Sequence, residues 1–355
     1  RERERPVRRR PGSPSLVASL LLGAGFLLGG CGTEPAREVE LSLPGGGLQA
    51  EVRALMDPEV PSGKAISGLG EILASHPRNV FVAWALADRA SRAGKEEEAV
   101  RLFAGLPGPF RETALARLES AASPAKALDR LKKVLRKRPG FFPALYLQGR
   151  ILSGLGRWEE AQKALQKCLA LAPDWAPALF ETARVLAARK RPREAATYLG
   201  RYLARRPEDK EARLFRLRLF LSPGGDLSGA RRELRRLKKE MPQDERVTLM
   251  EGALRELEGR PKEAASIYRR LLRTAKNEEV KRIAAFDLGV LLKDKLHDPR
   301  GAYRAFQVYL SCPPGKSLAD KLDLLRVRTW VLELKEGGAA ASRPFGPDRK
   351  PGEGR

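Results

Sequence analysis

Histidine and cysteine are scarce in this 355-residue chain, which has two of the first and three of the second, and aromatic residues make up only 6% of it. His76 and His297 stand 221 positions apart. By spacing they assemble neither a histidine-based metal site nor a nucleophile, base and acid set, and the better reading of each is surface histidine. No run of alternating Val, Ile and Thr marks a strand, whereas Leu and Ala dominate, a composition suited to helices. Phosphate-binding fingerprints are missing too. Gly315-Lys316-Ser317 ends like a phosphate loop, but Leu310 stands where the earlier glycine belongs and no strand precedes it. Gly68-Leu69-Gly70 and Gly154-Leu155-Gly156 fall inside or between helical segments and are no nucleotide fingerprint. The sequence therefore calls for no catalytic residue, no cofactor and no metal.

What is abundant is a recurring alanine. Ala65, Ala99, Ala127, Ala161, Ala195, Ala230, Ala264 and Ala302 are spaced 34, 28, 34, 34, 35, 34 and 38 residues apart. Four residues after each comes a large apolar side chain: Leu69, Phe103, Leu131, Leu165, Leu199, Leu234, Tyr268 and Phe306. That offset is one helical turn, so small and large residues share a face, the small one packing on a partner helix and the large one filling the groove beside it. A proline follows twelve residues after six of the alanines (Pro77, Pro139, Pro173, Pro207, Pro242, Pro314) and stops the helix there. Ahead of Ala99, Ala161 and Ala264, Gly94, Gly156 and Gly259 supply left-handed helix ends, followed by glutamates or a proline suited to the next first turn. A fixed period of this kind predicts stacked helical hairpins in one elongated domain.

In these features the chain resembles the tetratricopeptide repeat family over about residues 48–315. The best unit runs from Phe142 to Trp175, with Gly149 at the tight helix crossing, Gly156 in the turn, Ala161 in the second helix and Pro173 closing it. The resemblance implies an all-α, right-handed solenoid of about eight helix-turn-helix repeats and a role in binding protein or peptide partners. Four departures are visible: a short unit around Ala127 whose connection carries Pro107-Gly108-Pro109, a unit ending near Lys276 without its closing proline, a weak leading helix at 48–56, and an insertion at 295–299. After the last repeat, 317–335 is expected to cap it. Leu318, Leu322, Leu325 and Leu332, with Thr329, form the face expected to cover the repeat, and Leu324, Val327, Val331 and Leu334 form a second stripe open to a partner. From 336 to 355 Gly, Pro, Ala and charge replace the periodicity, the composition of a disordered tail.

The beginning of the chain reads as targeting sequence. Residues 1–10 are basic, 16–30 are uncharged, and the stretch ends in Leu28-Gly29-Gly30-Cys31. Fifteen residues fall short of the about 20 that span a bilayer, so a secretory signal fits better. Small residues before a cysteine at its end resemble a bacterial lipobox. That resemblance implies cleavage before Cys31, lipid on its sulfur and new amino group, and a chain held outside the cytoplasm in the cell envelope. Residues 1–30 would then be the signal, 31–47 a tether containing Pro44-Gly45-Gly46-Gly47, and 48–316 the repeat domain. Of the other cysteines, Cys168 lies on the packed face and reads as a small buried thiol, while Cys312, in Ser311-Cys312-Pro313-Pro314, reads as loop-exposed.

Charge is the feature that bears on partners. The total is +24, but residues 31–124 carry ten basic and thirteen acidic groups, whereas 189–239 carry seventeen basic against six acidic. Such a field attracts polyanions, so the alternative to a protein scaffold is a binder of anionic envelope polymers or lipid head groups; an enzyme accessory whose site the sequence hides is a third reading. Nucleic acid is a poor candidate partner, because such a signal sends the chain out of the cytoplasm. Reading the leading helices in register places Tyr146, Phe180 and Leu214 34 apart, and Arg150, Arg184 and Arg218 likewise. This row is the candidate partner groove, suited to an extended, possibly acidic ligand because arginine holds carboxylates bidentately; the alternative is that these arginines are solvated surface charges. Lys132, Lys163 and Arg201 are expected on the outer side, where they matter less.

Overall fold

The computed structural model describes residues 47–57, 59–315 and 318–336, and among them there are seventeen helices and no strand. Cys31, the 1–30 signal, almost all of the 31–47 tether and nearly all of the 336–355 tail lie outside the described residues. The chain divides into two compact units, one reaching to Asp209 and one from Lys210 onward.

The first unit holds five hairpins. They are α1 (Gly47–Met56) with α2 (Ser62–Ser75), α3 (Val80–Ala93) with α4 (Glu96–Phe103), α5 (Gly108–Glu119) with α6 (Pro124–Lys137), α7 (Phe142–Gly154) with α8 (Trp158–Leu171), and α9 (Ala176–Ala188) with α10 (Pro192–Arg205). Each leading helix also packs on the next leading helix, α1 on α3, α3 on α5, α5 on α7 and α7 on α9. The second unit repeats the plan with α11 (Lys210–Leu221) and α12 (Leu227–Glu240), α13 (Glu245–Leu257) and α14 (Pro261–Thr274), α15 (Glu278–Asp294) and α16 (Pro299–Ser311), then α17 (Leu318–Glu336) packed on α16. The fold is an all-α helical repeat.

The periodic residues account for this packing. All eight alanines fall in the second helix of a hairpin and are fully buried, and the large residue one turn later is buried in every case. Burying a side chain such as Leu165 stabilises by about 1.5–3 kcal/mol. The helices cross so closely that a Cβ on Gly149 would stand 2.7 Å from Leu165 Cγ and 3.3 Å from the Ala161 carbonyl oxygen, so only glycine fits there. Hairpin turns use the left-handed region at Gly94, Gly156 and Gly259, as the sequence predicts, and Lys190 takes the same conformation with φ of 57°.

The irregular units have local causes. Pro107 and Pro109 do not form a passive connection; they open α5, and the shortening falls on the eight-residue α4, which brings Ala127 close behind Ala99. The weak leading helix is present as α1. The insertion near Lys295 lengthens α15 to seventeen residues and adds a turn with His297 at φ 51°. At the end of the chain the capping face is the reverse of the one expected. Val327 and Val331 are buried and Leu324 and Leu334 pack beside them on the core, whereas Leu322, Leu325 and Leu332 are 49%, 59% and 60% exposed. Val327 and Val331 join the core cluster of Phe306 and Tyr309, and Trp330 from the same helix lies 5.4 Å from the Phe306 ring and 6.4 Å from the Phe286 ring.

Candidate protein-binding surfaces

The predicted groove residues divide between the two units. In the first, Tyr146 and Phe180 are only 2% and 5% exposed. Tyr146 stacks on Trp84 at 5.8 Å and meets Trp175 edge-on at 4.7 Å, while Phe180 lies 5.2 Å from Tyr202. In the second unit Leu214 is 3% exposed, within the core of Leu217, Leu221 and Leu234. These three side chains belong to the packed interior and offer no open anchor. Their arginine companions are also drawn inward. Arg150 is half-buried; Arg184 donates to Glu181 Oε2 at 2.8 Å; Arg218 is buried with its guanidinium 5.6 Å from the Phe215 ring centre.

Around Tyr146 the first unit builds a surface that the sequence reading did not single out. Phe81 on α3, Phe142 on α7 and Trp175 at the head of α9 are half-buried and enclose Trp84 and Tyr146 with ring separations of 5.2–5.5 Å. Arg117 lies 5.7 Å over Trp84 and grips Asp88 through two hydrogen bonds of 2.8 and 2.7 Å, a buried pair that fixes α5 against α3. The indole N–H groups of Trp84 and Trp175 are buried and find no acceptor among the described residues. Half-open aromatic edges suit a ligand with apolar side chains. No spacing signalled it: Phe81, Phe142 and Trp175 stand 61 and 33 positions apart, off the 34-residue period.

In the second unit most of the basic excess is already paired. Arg213 and Arg216 hold Glu233 at 3.3 and 2.9 Å, and Arg246 holds Glu211 at 2.8 Å. Arg231 pairs with Glu258, Arg236 with Glu240 and Lys238 with Glu251, all within 2.6–2.9 Å. On α12 only Arg235 and Lys239 stand exposed with no ion pair among the described residues. The cations of 189–239 are therefore largely scaffold charges. The exposed leucines of α17 form the open apolar stripe of this unit, flanked by Lys321, Arg328 and Lys335.

Cysteines and buried acids complete the chemistry. Cys168 is fully buried, and burial pushes its thiol up to about 12. Cys312 is 7% exposed, not loop-exposed: α16 ends just before it and its side chain turns inward, where burial raises its pKa. Burial, then the nearby carboxylates of Glu256 and Asp323, holds the Asp287 carboxyl well above the usual range. Among the described residues no group of three or more His, Cys, Asp or Glu is placed to hold a metal, and no helix is long and apolar enough to cross a membrane.

With this geometry in view, residues 142–175, 180–245 and 249–282 each match models of the tetratricopeptide repeat. These three segments carry tetratricopeptide repeats. Similar solved structures include a tetratricopeptide repeat protein from Parabacteroides merdae, 14% identical with a TM-score of 0.44, the match covering 77% of this chain and 99% of that one. PilW, described as a widely conserved type IV pilus biogenesis factor, is 18% identical with a TM-score of 0.42, covering 57% of this chain and 98% of its own. Yeast Tom70 is 14% identical with a TM-score of 0.43, covering 86% and 70%. No curated protein matches. The first matched tetratricopeptide repeat coincides with the unit singled out in the sequence, Phe142 to Trp175.

Proposed function

We propose that this protein is a non-enzymatic scaffold that holds protein partners in a bacterial cell envelope, anchored by lipid on Cys31 with its repeat domain outside the cytoplasm. The observation that carries this reading is the run of tetratricopeptide repeats with an aromatic edge left half-open by Phe81, Phe142 and Trp175. Repeats of this family present surfaces rather than reaction centres, and a stack of hairpins gives a long face for an extended partner. Anchoring is supported by the basic start, the uncharged stretch and Leu28-Gly29-Gly30-Cys31. One acyl chain holds only marginally, whereas the two or more expected on such a cysteine hold firmly, each buried methylene contributing about 0.8 kcal/mol.

The polymer-binding alternative is weaker, because ion pairs occupy most of the cations on α12. Fractionation and capture test the proposal. Cys31→Ala should move the protein from membrane to soluble fractions or leave its signal uncleaved. Capture of the wild-type protein from its own envelope should return a protein partner that Phe142→Ala and Trp175→Ala reduce. Membrane retention of the processed Cys31→Ala protein overturns the anchor, and capture of anionic polymer alone overturns the scaffold.

A further inference from the structure

The outer side of the first unit carries a cleft that the repeat pattern does not require. Helix α7 packs against both α6 and α8, and it floors the space between those two second helices. The space measures about 550 Å³ and has Leu135, Leu145, Leu152 and Pro139 among its lining residues. This size lies within the roughly 300–1,000 Å³ of sites that enclose small ligands or a few residues of peptide. Cations line both banks: Lys132 and Arg136, one turn apart on α6, and Lys163 and Lys167, one turn apart on α8.

The state of these charges decides what the cleft fits. Arg136, Lys163 and Lys167 are exposed and make no ion pair among the described residues, and Lys132 makes only an exposed pair with Asp129 at 3.0 Å. The single acid in the lining, Glu160, pairs with Arg157 at 2.7 Å and acts on Lys163 and Lys132 only through longer-range attraction. Four cations, uncompensated or weakly compensated among the described residues, thus border an apolar floor. An apolar floor between lysine and arginine stems on opposite banks suits a chain that lies along the cleft, with an apolar side chain down and carboxylates out to each side.

We propose that this cleft is a second docking site, for a short acidic peptide segment of a protein partner carrying one large aliphatic or aromatic side chain between carboxylates. It rests on the scaffold reading and adds the class of partner. It also reverses the expected rank of the basic residues: Lys132 and Lys163 act in binding, while Arg184 and Arg218 support the fold.

The test is selection of a random heptapeptide display library on the full soluble chain carrying Cys31→Ser, followed by binding of the selected peptides to variants. The expected peptides pair at least two Asp or Glu with a Leu, Ile or Phe. Their binding should weaken about tenfold or more on Arg136→Glu/Lys163→Glu/Lys167→Glu, fall with added salt, and survive Lys64→Glu/Arg92→Glu, an exposed reversal on α2 and α3. Leu135→Asp, a half-buried change on the α6 bank, should weaken it as well, with circular dichroism confirming that each variant keeps its helices. Peptides without this pattern, or peptides that bind the triple variant equally well, overturn the cleft while leaving a scaffold that binds elsewhere. A library that yields no binder also overturns the cleft, and the scaffold then stands or falls on the envelope capture.

Discussion

Helices α7 and α17 are both apolar on more than one side, yet the first buries nearly all of its apolar side chains and the second is half open. In α7, Pro143, Ala144, Leu145, Tyr146, Leu147, Gly149, Ile151, Leu152 and Ser153 are all buried, because α5, α6, α8 and α9 surround it. In α17 the Val327 and Val331 side is closed on α16, while Leu322, Leu325 and Leu332 face outward. Sequence apolarity thus states how much a helix is able to bury, and the number of neighbours decides how much it does bury. The same contrast separates the predicted groove, which is interior, from the surfaces that remain open to a partner.

The largest expected effect lies in the buried region. Ala161→Glu forces a carboxylate into the α7–α8 contact, where desolvation and overpacking together cost on the order of several kcal/mol. Hydrogen exchange should show protection lost in α7 and α8 and their immediate neighbours, with distant hairpins retained. An unchanged melt would remove Ala161 from the tight contact.

Paired substitutions on α17 divide its two faces. Val327→Asp should detach the helix and cost about 2–4 kcal/mol, an unpaired charge in a closed site, whereas Leu325→Asp should shift stability by no more than about 0.5 kcal/mol. Denaturant titration of the two variants checks this, and equal losses would mean that both faces are closed.

A subtler effect is the pH response of Asp287. Because burial raises its pKa in the fold, the folded state keeps a proton that the unfolded chain releases near pH 4. Its contribution is therefore complete below about pH 4 and is lost as pH rises through the folded value. Asp287→Asn should flatten the fall of stability with pH above about 4 and leave the second unit more stable near neutrality, as read by thermal melts across pH. A slope unaltered by the substitution would show that Asp287 is ionised in the fold.

Much of the fold was legible because its rules are local. A buried alanine, a large residue one turn on, a closing proline and a left-handed glycine each report on a few neighbouring residues, and together they place every second helix. The candidate surface was less legible. Tyr146, Phe180 and Leu214 share the repeat period, and a shared period marks residues used in the same way in every repeat, which means packing. Phe81, Phe142 and Trp175 take their exposure from three helices meeting, and the cleft beside Lys163 takes its shape from the gap between α6 and α8; neither has a spacing of its own. The α17 faces were reversed for a similar reason, since both stripes obey helical spacing and only the packing on α16 and its core, where Trp330 meets Phe306, distinguishes them.

The central claim is that the periodic residues are interior and that binding falls to side chains outside the period. Hydroxyl-radical footprinting of the full chain in its native state measures this directly. The account predicts slow oxidation at Tyr146, Phe180 and Leu214 and fast oxidation at Leu322, Leu325 and Leu332, after correction for the intrinsic reactivity of each residue. Fast oxidation of the first three with protection of the last three would contradict it.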